Sequence, residues 1–320
     1  MSARFLEKRF VIVAGKGGVG KSTVCAALGL AAARAGRKTI ITELNTQEKI
    51  PHLFGKPPSG SRPAEVAPNL YSMNIQPEPA LHEYAIRKVR FERVYKAVFE
   101  QEAVKRLLRM LPGATELLVL GKAFDLERDR DRNGKPDWDM VIVDAPATGH
   151  GVSLLRLPQT LLEVVPTGPM ADETRAMRDL LTDPVRTMMH VVALPEEMPV
   201  RETFDLMEQV ETVLQIPKGF LFINGVWPEV ADPETLDTAA RVGDASGGSD
   251  PVLSGAMSCL NAQVQRRRFQ EPYIQELRDG IDMPIIELPF LFRREFTEEA
   301  IETLSERCVE AIEAIEADVS

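Results

Sequence analysis

The sequence predicts an α/β fold, a mostly parallel sheet of about 7–8 strands flanked by helices on both faces. Three observations predict it. Residues Phe10 to Thr42 read as strand, helix, strand; a glycine-rich loop joins that first strand to its helix; and further apolar runs recur down the chain. Phe10 to Ala14 is the first apolar run, and Ser22 to Arg34, rich in Ala and Leu, is the helix. Gly36 stops the helix, and Thr39 to Thr42 is a second β-branched run. Such a βαβ unit requires parallel strands and a right-handed crossover.

The remaining strands are expected at Leu70 to Ile75, Val141 to Val143, Met188 to Leu194, Phe220 to Ile223 and Pro284 to Leu288. Helical additions are expected at about 78–126 and 158–184. In the first, Tyr84, Phe91, Val94 and Val98 fall on one stripe at helical spacing. Residues 228–255, rich in Asp, Gly, Ser and Pro, read as a mobile loop. Thr297 to Ala317 reads as a last, acidic helix. The whole chain, 1–320, is then a single domain with a helical subdomain.

Composition narrows the function. The 320 residues carry a net charge of −10, which argues against a nucleic-acid binder that works by neutralising phosphates. No apolar run approaches the roughly 18 residues that span a bilayer, so no integral membrane protein is expected. Met1 to Arg9 is charged and lacks the apolar core of a signal peptide. Cys25, Cys259 and Cys308 lie far apart and offer no disulfide framework. A cytoplasmic location is the expectation.

The strongest local feature is Gly15-Lys16-Gly17-Gly18-Val19-Gly20-Lys21-Ser22-Thr23, between the first strand and helix. It satisfies the phosphate-loop pattern of Gly, four residues, then Gly-Lys-Ser. Glycines let backbone N–H groups turn inward around phosphates, and the helix N-terminus adds its positive dipole end. Lys21 would bridge β- and γ-phosphate oxygens, Ser22 would offer its hydroxyl to Mg²⁺, and Thr23 would meet the α-phosphate. Lys16, a second lysine inside the loop, marks the deviant Walker-A subclass. Its members form nucleotide-sandwich dimers in which this lysine neutralises transition-state charge in the partner's site.

Asp144-Ala145-Pro146-Ala147-Thr148-Gly149-His150 follows the apolar strand and runs on into Leu154-Leu155-Arg156-Leu157-Pro158. This segment resembles switch II of the arsenical pump-driving ATPases and of their relatives that target tail-anchored membrane proteins. Pro112 to Leu117, Asp183-Pro184, Pro195-Glu196 and Glu202-Thr203 extend the resemblance over nearly the whole chain. The resemblance implies that Asp144 holds Mg²⁺ through a water and that Gly149 senses the γ-phosphate. It implies that Asn224 reads adenine with its amide, that Pro289, Phe290 and Leu291 line the adenine pocket, and that Glu196 contacts nucleotide.

Three departures qualify it. The family places an aspartate after the second strand to position the attacking water, and here Asn45 stands at that position. An amide orients water but takes no proton at neutral pH, so hydrolysis is expected to be slow, by about 10²–10⁴, unless another carboxylate serves. Glu43 and Glu48 are nearby, and a register two residues shorter makes Glu43 the base. Cys259 stands alone where zinc-clamped relatives carry Cys-x-x-Cys, so no zinc is expected, and the same scarcity argues against an arsenite site. The 25 residues between Pro158 and Pro184 are too few for the Met-rich insert that captures membrane helices. Asp129 to Gly134 resembles the start of a calcium loop, but position twelve is Met140, and a solvated turn is expected.

The combined expectation is an ATP- and Mg²⁺-dependent ATPase working as a homodimer, or as a heterodimer with a catalytically complete paralogue. A non-hydrolysing, ATP-gated scaffold is the alternative. A motor for arsenite efflux and a targeting factor for a membrane-protein client are the weaker readings.

Overall fold

The structure, a computed structural model, describes residues 5–89, 113–230, 238, 241 and 251–319. Eight strands form one sheet: β1 (Phe10–Gly15), β2 (Thr39–Leu44), β3 (Ala64–Ala67), β4 (Leu70–Ile75), β5 (Met140–Asp144), β6 (Thr187–Ala193), β7 (Lys218–Val226) and β8 (Ile285–Pro289). Their order is β3-β4-β2-β5-β1-β6-β7-β8. Every neighbouring pair is parallel except β3 with β4. The expected fold class is therefore the observed one. Strand β3 was not expected: four residues, half of them partly exposed, are too short to show a period.

Nine helices are described: α1 (Lys21–Arg34), α2 (Ile50–Leu53), α3 (Pro77–Val89), α4 (Ala114–Arg128), α5 (Thr148–Val164), α6 (Pro169–Leu181), α7 (Glu197–Gln209), α8 (Pro251–Gly280) and α9 (Glu298–Val319). Strands β1, β2, β5 and β6 are buried along their whole length, as a parallel sheet covered on both faces requires. Successive side chains alternate between two cores. Phe10, Ile12, Ile40 and Val143 meet α4 through α8, whereas Val11, Val13, Ile41 and Ile142 meet α1 and α9. At one end of the sheet Glu127 of α4 is buried and takes Arg9 Nε at 2.8 Å, with Arg186 Nη1 at 3.7 Å.

The helical additions differ from expectation in their boundaries. Helix α5 runs unbroken through Pro158, so the expected start at 158 falls mid-helix. Val152, Leu154 and Leu155 bury that helix in the core, which outweighs the backbone bond that a proline removes. The Tyr84 hydroxyl donates to Glu173 at 2.9 Å and ties α3 to α6, while Phe91, Val94 and Val98 lie outside the described residues. Helix α8 begins at Pro251, inside the stretch expected to be a loop, most of which also lies outside the described residues. At Asp129 to Gly134 the Asp131 carboxylate accepts N–H bonds from Asn133 and Lys135, as a solvated turn does. No described helix is long and apolar enough to cross a membrane.

One buried group ties the fold to pH. The register of β6 with β7 slips between Met189 and Val191, and there Phe220 N–H donates to His190 Nδ1 at 3.0 Å. The ring lies among Phe5, Phe220 and Phe222. Burial pushes the His190 pKa down to about 3, and protonating Nδ1 would also forfeit the bond from Phe220. The folded state thus refuses a proton that the unfolded chain accepts below pH ~6.5, so stability from this group falls on acidification. In urea unfolding, the advantage of wild type over His190→Gln should shrink by about 2 kcal/mol between pH 7.5 and pH 5. A gap independent of pH would show that His190 is not buried in the neutral form.

Candidate functional site

The loop Gly15–Gly20 leaves the C-terminal end of β1 at the centre of the sheet and delivers the chain into α1. Two glycines are needed for close approach. A Cβ on Gly15 would lie 2.3 Å from the Val192 carbonyl oxygen, and one on Gly20, itself left-handed at φ 96°, 2.2 Å from Asn224 Nδ2. Lys21 is 9% exposed, and its ammonium arches back to donate to the Lys16 carbonyl at 2.8 Å. Ser22 Oγ donates to Asp144 Oδ2 at 2.6 Å, joining the first turn of α1 to the last residue of β5. Thr23 follows on the same turn.

Burial sets the charges. It lowers the Lys21 pKa and raises that of Asp144, and each partly offsets the other's shift. A ligand that brings both negative charge and a cation would fit such a set of charges. The Ser22 hydroxyl and Asp144 carboxylate converge as Mg²⁺-binding groups do, and the arched Lys21 faces a glycine-lined loop suited to phosphate. Among the described residues no group of three or more His, Cys, Asp or Glu could hold a metal by itself. Mg²⁺ carried in by phosphate and water fits this chain better than a protein-caged ion.

The segment after β2 is held by carboxylates. Glu43 pairs in register with Asp144 on the neighbouring strand and is fully buried. Its two oxygens accept N–H bonds from Lys49 at 2.7 Å and Ile50 at 3.3 Å. Burial lifts its pKa to about 7, opposed by those N–H bonds and helped by the Asp144 charge. Glu48 is likewise engaged, accepting from Ser59 and Gly60 N–H. Asn45 is exposed just past the end of β2, in the left-handed region at φ 49°, where asparagine is tolerated better than most residues.

The other predicted residues gather at the same end of the sheet. Asn224 Nδ2 donates to the Val19 carbonyl at 2.8 Å, so this amide touches the loop itself. Phe290 follows Pro289, the last residue of β8, and stacks on Trp227 with ring centroids 5.1 Å apart; Leu291 packs toward the α1 face. Lys16 Nζ pairs with Glu202 of α7 at 2.8 Å. Glu196 precedes α7 and pairs with Arg266 of α8 at 3.4 Å. Gly149 lies in the first turn of α5, five residues after the end of β5.

Residues 8–167, half of the chain, match the model of the anion-transporting ATPase family. The chain belongs to that family. It is 28% identical over 304 residues to the ATPase BagA of Mycobacterium tuberculosis, covering 90% of this chain and 88% of that one. It is 26% identical over 248 residues to an arsenical pump-driving ATPase of Acidiphilium multivorum, and 25% over 256 residues to one of Escherichia coli. Those two alignments cover 72% and 74% of this chain but 42% of each pump-driving protein.

As a member of the anion-transporting ATPase family, the chain carries Gly15 to Thr23, Glu43, Asn45, Asp144 and Gly149 inside the matched region, while Glu196, Asn224 and Pro289 to Leu291 lie beyond it. Three further residues at this end of the sheet were not assigned roles from sequence: Glu202, Trp227 and Gln270. Trp227 carries a signal, an aromatic shortly after the apolar run and Asn224-Gly225, and Glu202 stands in the Glu202-Thr203 pair that extends the resemblance, whereas Gln270 carries none. If Glu43 tethers the segment after β2, Glu43→Ala should speed amide exchange at Lys49 and Ile50 and cost about 1–3 kcal/mol of stability. Unchanged exchange at both amides would remove that role.

Proposed function

We propose that this chain is an ATP-binding, Mg²⁺-dependent ATPase of the cytoplasm that works as a nucleotide-gated dimer, with slow hydrolysis of its own. The observation that carries the reading is the buried Lys21 ammonium arched over a glycine loop beside the Ser22–Asp144 pair. Gly15 to Gly20 would bind the phosphates through backbone N–H groups, Lys21 would hold β- and γ-oxygens, and Thr23 the α-phosphate. Ser22 and Asp144 would hold Mg²⁺, which when bound neutralises charge on the phosphates. Gly149 would carry the presence of the γ-phosphate into α5. Asn224 and Pro289 to Leu291 would contact the adenine, with Glu196 at the edge of the nucleotide.

Slow turnover follows from the segment after β2. Asn45 is an amide, while Glu43 and Glu48 are engaged with backbone N–H groups rather than pointing at open space. That same engagement favours, as second reading, a scaffold that binds ATP without hydrolysing it. The side of the loop where half-buried Lys16 adjoins the exposed Gly17 and Gly18 suits assembly with a second copy or a paralogue, in whose site Lys16 would stabilise charge. In the isolated chain Glu202 holds this lysine, so assembly would exchange one anionic partner for another. The helices α3, α4 and α6 would form the subdomain that meets a protein client. An arsenical motor is disfavoured, since burial pushes the Cys25 thiol well up and that of Cys308 to about 12, leaving neutral sulfurs that bind soft cations poorly.

Single-turnover hydrolysis tests the reading. Wild type should release phosphate slowly, Lys21→Ala should abolish release, and Asn45→Asp should raise the rate by about tenfold or more. Release unaffected by Lys21→Ala would sink the enzyme reading, and no release from either wild type or Asn45→Asp with any partner would select the scaffold. Glu202→Gln, by freeing Lys16, should lower the protein concentration at which ATP drives dimerisation, read by sedimentation. It should have no effect in a Lys16→Ala background.

A further inference from the structure

We propose that Gln270 of α8 is the positioning residue of the base pocket, fixing the segment Gly225–Trp227 so that Asn224 and the Trp227–Phe290 stack meet the nucleobase together. The proposal rests on reading the phosphate loop as a nucleotide site. Between Pro251 and Phe269 no described side chain of α8 is buried, and Gln270, 3% exposed, is the first that is. It faces a break in the sheet. The register of β7 with β8 shifts between Ile223 and Val226, and Gly225 lies in the left-handed region at φ 69°.

A segment that leaves the ladder exposes backbone groups that need partners. Gln270 supplies two of them from one amide. Its Oε1 accepts Trp227 N–H at 2.8 Å, and its Nε2 donates to the Gly225 carbonyl at 3.0 Å. Only an Asn or Gln side chain offers an acceptor and a donor in this fixed relation. The contacts then run on in both directions. Upstream, Asn224 reaches Val19 in the phosphate loop. Downstream, Phe290 N–H donates to the Val226 carbonyl at 2.8 Å, which sets the Phe290 ring against Trp227 at an interplanar angle of 13°.

Phe292 stands edge-on to both rings, and Phe290 and Phe292 keep substantial exposure. An aromatic cluster left open at the mouth of a phosphate site suits a flat heteroaromatic ring. Asn224 adds direction. Its Nδ2 is committed to Val19, so Oδ1 is the atom left for a ligand, and it accepts from an exocyclic amine. Gln270 touches neither phosphate nor base. Its effect is to hold three base-facing groups in one arrangement.

Calorimetric titration of the full chain with Mg²⁺ separates this role from general damage, using ATP and inorganic tripolyphosphate as probes. Gln270→Leu should weaken ATP about tenfold or more and leave tripolyphosphate within about twofold of wild type. Trp227→Ala should do the same, and Lys21→Ala should weaken both probes. Unchanged ATP affinity in Gln270→Leu, or equal weakening of both probes, overturns the proposal. Should Gln270→Leu fail to fold, Gln270→Glu, which keeps the acceptor for Trp227 N–H but loses the donor to the Gly225 carbonyl, decides by the same two criteria. Wild type that binds neither probe would instead overturn the phosphate-loop reading beneath it.

Discussion

The site depends on how closely the loop after β1 lies against its neighbours. Gly15 sits where any side chain would strike the Val192 carbonyl, and Gly20 where one would strike the Asn224 amide. That approach is available because β1 is held on both sides, by β6 over its full length and by β5 from Phe10 to Val13. The strand cannot slide without breaking two ladders at once, so the loop is carried at a fixed height above the sheet. Asp144 at the end of β5 and Asn224 near the end of β7 are then within reach of α1 and the loop respectively. Ligand sites of open parallel sheets form at these carboxyl ends for the same reason.

Charge is the second organising constraint. Lys21, Glu43 and Asp144 all lie where burial disfavours their ionised forms, and each is within the field of another. A cation and anions crowded into a dry place are costly to keep ionised unless they are paired or hydrogen-bonded. Backbone N–H groups relieve Glu43, and the Ser22 hydroxyl relieves Asp144. Perturbed titratable groups gathered at a sheet mouth are the pattern of a functional site.

Much of this was legible in the sequence because it is local. The strand, loop and helix from Phe10 to Arg34 announce themselves by composition and spacing, and Asp144 follows an apolar run as a strand-ending carboxylate should. What was not legible depends on partners far along the chain. Nothing around Gln270 tells that its amide will find Gly225 and Trp227, and nothing near Lys16 points to Glu202. Glu43 and Glu48 read as spare carboxylates until the turn that follows them brings N–H groups to their oxygens. Pro158 read as a boundary because its local cost is visible, whereas the burial that offsets it is not.

Strand β3 has a bearing on assembly. It closes one edge of the sheet with four residues, an antiparallel pairing interrupted between Glu65 and Ala67, and a charged side chain at Glu65. Strand β8 closes the other with five, ends at Pro289, and carries Glu287 paired to Arg278. Short, irregular and charged edges make poor templates for strand addition. Two copies of this chain therefore have little to gain by extending the sheet from one molecule into the next. The edges that would feed open-ended stacking of sheets are thus blunted at both ends of the molecule.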